Sequence, residues 1–191
     1  TLYIINSSFM FENRENAAQL LAQELKNKGY GGKNTLVLAI PRGGVVTGRI
    51  VADALGPALD IIITRKISSP SQSELAIGAV GPGGIKVIDI DLVEKTGTSQ
   101  NYLASKIEEL KKEIEDRGKK FRGQKPPPDV TGKIAILTDD GIATGATIEA
   151  AIRFVNGQKP KKLILAAPVA SAESVEKLQG LVDDLIVLET P

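Results

Sequence analysis

The 191 residues contain no cysteine and no histidine. Without cysteine there is no disulfide and no thiol nucleophile, and without histidine the commonest general base and the usual zinc sites are gone as well. Any chemistry must rest on carboxylates, lysine, arginine, hydroxyls and the backbone. An excess of one charge is also lacking. Lys and Arg number 24 against 23 Asp and Glu, a formal net charge of +1, so no bulk attraction to nucleic acid or to a membrane is built in. No helix-turn-helix or basic DNA-binding segment is evident. No apolar run approaches the roughly 20 residues needed to span a bilayer, and the N-terminus has no basic region followed by a long apolar core. The expectation is a cytoplasmic protein that engages neither nucleic acid nor membrane. Asn6-Ser7-Ser8 has the form of a glycosylation sequon, which without a signal peptide is chance.

What is present, 42% hydrophobic and 25% charged residues, suits one medium domain with a proper core. Residues 14–28 place Ala17, Ala18, Leu21, Ala22 and Leu25 on one helical face, with Asn13 as N-cap and Gly29 as the stop. Thr35–Ile40 reads as a strand, Pro41-Arg42-Gly43-Gly44 as a loop, and Val45–Leu55 as a helix. Leu59–Thr64 is a β-branched strand ending in Arg65-Lys66, followed by a Ser/Pro-rich stretch. Leu75–Val80 and Ile85–Ile88 flank Gly81-Pro-Gly-Gly84 as a hairpin, so that 67–88 form a candidate flap. From Ser99 to Arg122 the residues Leu103, Ile107, Leu110 and Ile114 make the stripe of a long amphipathic helix. A dimer seam would use such a stripe, but packing on a sheet is the plainer outcome. After the stiff segment Lys125-Pro-Pro-Pro-Asp129, strands at 134–138, 163–167 and 185–188 alternate with helices, one of them near 172–181. The pattern is an α/β domain with a central, mostly parallel sheet flanked by helices.

The most informative segment is Ile134–Thr147. A buried strand leads into Asp139 and Asp140, then into the small-residue loop Gly141-Ile-Ala-Thr-Gly-Ala-Thr147 that opens a helix. At a strand's carboxyl end the free N–H groups and positive dipole end of the next helix face whatever lies above the sheet, and glycines let backbone come close to it. A phosphate monoester fits Gly141, Ala143, Thr144, Gly145, Ala146 and Thr147. The two aspartates would repel that phosphate if aimed at it and suit vicinal hydroxyls instead, so a ribose 5-phosphate matches the whole segment. An ordinary turn with a capping Asp and turn-forming glycines is the bland alternative. Arg42 with the N–H groups of Gly43 and Gly44 offers a compact anion site, to which Arg65 and Lys66 would add charge.

This segment resembles the binding motif for phosphoribosyl pyrophosphate (PRPP) in type I phosphoribosyltransferases: a hydrophobic strand, two acids, a short loop and Thr-Gly-x-Thr. The resemblance extends to Phe11-Glu-Asn-Arg14-Glu-Asn-Ala17, Leu38-Ala-Ile-Pro-Arg-Gly-Gly44, Arg65-Lys66 and Glu74-Leu-Ala-Ile-Gly78, which look like a group of microbial phosphoribosyltransferase-like proteins. It implies a single domain over 10–191 with a small hood or flap, preceded by residues 1–9 as an extension before Met10. It implies Mg²⁺-dependent transfer of a phosphoribosyl group from PRPP to a nucleobase or related acceptor, the Mg²⁺ being carried largely by PRPP rather than bound directly by the chain. Asp139 and Asp140 would then be catalytic, 141–147 would hold the 5-phosphate, and Arg42, Gly43, Gly44, Arg65 and Lys66 would hold pyrophosphate. A non-proline cis peptide is implied at Pro41–Arg42. The stripe over 99–122 allows a homodimer. The resemblance equally allows a PRPP- or nucleotide-binding regulator without catalysis, because the fold is used that way too. Hypoxanthine-guanine members carry an acid where this chain has Ala143 and a Lys where it has Ala146, so the acceptor stays open. Glu74 is as well explained by solvation as by a role at the reacting base.

Overall fold

Continuous aliphatic runs form strands that are covered on both faces, which is the mark of a parallel sheet. The computed structural model describes residues 1–4, 11–123 and 125–191; Asn6-Ser7-Ser8 and Met10 lie outside the described residues. In chain order the strands are β1 (Leu2–Ile4), β2 (Thr35–Ala39), β3 (Ala58–Ile61), β4 (Arg65–Ser68), β5 (Ala76–Val80), β6 (Lys86–Ile88), β7 (Ile134–Thr138), β8 (Lys162–Val169) and β9 (Asp184–Glu189). The helices are α1 (Arg14–Asn27), α2 (Gly43–Leu55), α3 (Ile90–Lys95), α4 (Gln100–Arg122), α5 (Ala146–Gly157) and α6 (Ala172–Leu178). The chain folds as two units, one of Thr1–Ile62, Pro128–Gly145 and Val155–Pro191, the other of Ile63–Pro127 and Ala146–Phe154.

The first unit is built on a six-stranded sheet in the order β1-β9-β8-β7-β2-β3. Every neighbouring pair in it is parallel. β2 continues through α2 to β3 on one side, whereas β8 and β9 follow β7 on the other. The carboxyl ends of β2 and β7 are therefore a topological switch point, where open α/β sheets bind ligands. The core joins Leu21 and Leu25 of α1 and Val51 of α2 to Val37, Ile136, Ile164 and Ile186 of the strands. Each fully buried leucine contributes about 2 kcal/mol by leaving water. Asn13 caps α1 as expected, its side chain accepting from Asn16 N at 2.9 Å. The short β1, within the segment read as an extension, pairs with β9 from Leu2↔Leu185 to Ile4↔Val187.

The second unit contains the three-stranded antiparallel sheet β4-β5-β6. β5 and β6 are the expected hairpin, turning through Pro82–Gly84. Leu103, Ile107, Leu110 and Ile114 are buried, and α4 packs on β4 and β5, so the stripe covers a sheet, the smaller one. The strand read over Leu59–Thr64 needs correction. Its ladder ends at Ile61, and Arg65 and Lys66 open β4 of the other sheet rather than a loop at a strand's carboxyl end. Ile62, Ile63 and Thr64 are buried outside any ladder, and an apolar β-branched run looks the same whether it is paired or merely covered. Helix α3 adds an element to the expected set. It is short, although its signal is present in Asp89, whose side chain accepts from Leu92 N at 3.0 Å.

At the amino ends of β8 and β9 a charged group is buried. Asp184, 4% exposed, accepts a hydrogen bond from the Tyr30 hydroxyl and pairs with Lys162 Nζ at 2.5 Å. Burial alone would raise its pKa, but the hydrogen bonds from Lys162 and Tyr30 outweigh it and hold the carboxyl at about 2. A carboxyl held below its unfolded value stabilises the fold fully above the unfolded pKa, near 3.9, and loses that contribution as pH falls through the folded one. Urea denaturation should therefore show the wild-type midpoint falling from about pH 4 to about pH 2 more steeply than that of Asp184→Asn, which lacks the titrating group. Parallel pH profiles for the two proteins would remove Asp184 from the acid response.

Candidate active site

Two loops meet at the switch point, both within the first unit. The first leaves β2 through a cis Pro41–Arg42 peptide, as the resemblance implies. It enters α2 at Gly43, and the first turn of that helix holds no acidic side chain. Val45 N donates to Arg42 O at 3.2 Å, which leaves the N–H groups of Gly43 and Gly44 to find acceptors outside the helix. The second loop leaves β7 at Asp139 and reaches Gly145, which caps α5 in the left-handed conformation with φ +73°.

The loops fit together because the first one lacks side chains where the second has carboxylates. A Cβ on Gly43 would fall on the Asp140 carboxylate, and one on Gly44 would lie 2.8 Å from Asp139 Oδ1. Both approaches are closer than any side chain tolerates. Asp139 Oδ1 also accepts from Asp140 N at 2.8 Å, and the Asp139 carboxyl takes a hydrogen bond from the Gly44 N–H. Gly44 thus spends its donor on the aspartate. Asp140 Oδ2 is paired with Arg14 Nη2 at 2.9 Å. Burial first, and then the hydrogen bond with Asp140, push the Asp139 carboxyl well above the ordinary aspartate range. Asp139 is therefore a carboxyl that holds its proton readily, beside the Asp140–Arg14 ion pair.

The rest of the second loop is tied down from the far side. Ile142 N donates to Val169 O at 2.9 Å, and Ser171 N donates to Ile142 O at 3.0 Å. The hydroxyls of Ser171 and Ser174 both donate to Ala143 O at 2.8 Å. Gly141, Ala143 and Thr144 remain exposed, and Ala146 and Thr147 are half-buried in the first turn of α5. No motif marks the two serines, whose work is done through a backbone carbonyl. Arg14 falls within a segment that carries the family resemblance, yet its place at the aspartates is visible only in the structure.

Arg42 is exposed at the start of α2. Arg65 and Lys66 belong to the second unit and have carboxylate partners there. Arg65 is hydrogen-bonded to Glu113, whose carboxyl is held below its usual range by that bond, and Lys66 pairs with Glu74 at 3.5 Å. Among the described residues no group of three or more carboxylates gathers as a metal site.

An all-parallel sheet with this switch point and these two loops is the type I phosphoribosyltransferase fold. Residues 9–189 match the model of the phosphoribosyl transferase domain, and the chain belongs to that family. It is 38% identical over 184 residues to a Mycobacterium tuberculosis protein named "Putative phosphoribosyl transferase", covering 95% of this chain and 41% of that protein. The chain thus spans about two fifths of the length of the curated relatives it matches. A crystal structure from Thermus thermophilus superposes with a TM-score of 0.77 at 36% identity, covering 96% of this chain and 86% of the other. A purine phosphoribosyltransferase from Pyrococcus horikoshii shares the fold at a TM-score of 0.52 and 15% identity, over 95% of this chain and 87% of the other.

The glycine contacts make a measurable demand. Gly43→Ala must drive Asp140 away from its place and should lower stability by about 1–3 kcal/mol in urea denaturation, the range for a forced overpacking. Gly157→Ala is the control, because a Cβ there meets nothing within 4 Å and its effect should be neutral or slightly stabilising. Equal effects at the two positions would show that the loops do not depend on their close approach.

Proposed function

We propose that the chain transfers the phosphoribosyl group of PRPP to a nucleobase-like acceptor and releases pyrophosphate. The observation that supports this most directly is the contact of the Asp139–Asp140 pair with the Gly43-Gly44 backbone. It puts hydroxyl acceptors beside the opening turn of α2. In this reading the 5-phosphate lies on Gly141, Ala143, Thr144, Gly145, Ala146 and Thr147. The ribose hydroxyls donate to Asp139 and Asp140, and the pyrophosphate faces Arg42 and Gly43.

The reaction separates charge. As the bond from C1 to pyrophosphate lengthens, the sugar becomes oxocarbenium-like, and Asp140 beneath it stabilises the positive charge while orienting the ring. Arg42 and the Gly43 N–H at the start of α2 stabilise the departing anion. A nitrogen of the acceptor then closes on C1 from the opposite face, and its proton passes to solvent or to a nearby base. Mg²⁺, when carried in on PRPP, neutralises pyrophosphate charge. The chain's own donor set, two adjacent carboxylates without a third among the described residues, suits an ion held mainly by substrate oxygens and water. A cytoplasmic location is part of the same proposal. Among the described residues no helix is long and apolar enough to cross a membrane.

The test is to supply PRPP and Mg²⁺ with adenine, hypoxanthine, guanine, xanthine, uracil or orotate in turn and to follow pyrophosphate release. Base-dependent release is the expected result, with kcat/KM lowered about 100-fold or more in the Asp139→Asn/Asp140→Asn double variant. PRPP binding without turnover on any base would favour a PRPP-sensing regulator, and absence of PRPP binding would end both readings.

A further inference from the structure

Arg14 is the first residue of α1. That is an unfavourable place for a cation, because the amino end of a helix carries the positive pole of its dipole. The first turn is otherwise conventional, with Asn13 as the cap and Glu15 as the acid. Helix stability therefore does not account for Arg14. Nor does the stability of the fold, since its side chain is 59% exposed, and exposed ion pairs contribute little. What the guanidinium does is reach Asp140 Oδ2 at 2.9 Å, on the same oxygen that sits against Gly43.

The consequence for two adjacent carboxylates is specific. Left alone, neighbouring acids share a proton and their negative charge moves between them. A cation held against one of them fixes its rotamer. A carboxylate offers about four acceptor positions, so the ion pair with arginine leaves it able to accept from a hydroxyl. We propose that Arg14 is a positioning residue for the sugar. It holds Asp140 turned so that this carboxylate accepts a ribose hydroxyl. The inference rests on the reading of Asp139 and Asp140 as ribose acceptors.

The experiment compares wild type, Arg14→Gln and Arg14→Lys in calorimetric titrations with ribose 5-phosphate, its 2-deoxy and 3-deoxy analogues, and inorganic phosphate. Wild type should prefer ribose 5-phosphate to at least one deoxy analogue by about tenfold, the size of one hydrogen bond to a charged group. Arg14→Gln should lose that preference, Arg14→Lys should keep part of it, and inorganic phosphate should bind all three proteins equally. Thermal unfolding checks that the variants are folded, which the exposure of the side chain favours. If Arg14→Gln keeps the wild-type preference, Arg14 does not position Asp140, although the ribose reading stands. If phosphate binding weakens as much as sugar binding, Arg14 is an anion ligand and the inference is wrong. If wild type itself shows no preference, the ribose reading falls and the inference falls with it.

Discussion

The contact between two backbone glycines and two carboxylates is the constraint on which the site depends. Gly43 and Gly44 begin α2, Asp139 and Asp140 end β7, and the loops interlock because the glycines have no Cβ to place where the carboxylate oxygens are. Such an approach needs neighbouring strands whose onward connections diverge, and the order β8-β7-β2-β3 supplies that at β7 and β2. The sheet topology thus creates the opening, and the glycines let the acids line it. The electrostatics follow from the same packing. Asp139 is drawn into the protein and becomes reluctant to ionise, while Asp140 faces outward and meets Arg14.

The first unit gathers Asp139, Asp140 and the turn at Arg42 onto one parallel sheet. The second unit has a different character, with a small antiparallel sheet covered by α4 and cations already answered by Glu113 and Glu74. Side chains that must be held within tenths of an ångström are better carried on strands buried on both faces than on loops of independent course. The ends of β2 and β7 meet that requirement. Their adjacent residues Ala39 and Thr138 are in register and fully buried.

The legible part of the chain was the part governed by local rules. The run at Ile134–Thr138, the acids after it and the glycine-marked turn are contiguous, so a strand, a loop and a helix start could be read directly, and the resemblance gave them a ligand. The cap at Asn13 and the stripe on α4 were legible for the same reason. What escaped depended on distant partners. Arg65 and Lys66 looked like the end of a parallel strand because β-branched residues do not reveal where a ladder stops. The pairing of Arg14 with Asp140 joins opposite parts of the chain, and nothing near either residue announces it, except that a cation stands in a first turn where an acid is preferred. Ser171 and Ser174 act on a backbone oxygen, which leaves no side-chain pattern to find.

Those two serines have an effect beyond anchoring. A trans peptide is planar, with its carbonyl and its N–H on opposite edges. Two hydroxyls drawn onto Ala143 O therefore set the orientation of the whole unit joining Ala143 to Thr144, and the Thr144 N–H is aimed away from α6 in advance. An amide already facing its acceptor loses no rotational freedom when the acceptor arrives. Under the proposed function, the readiness of the loop for a 5-phosphate is in this sense set partly from α6, through a backbone carbonyl.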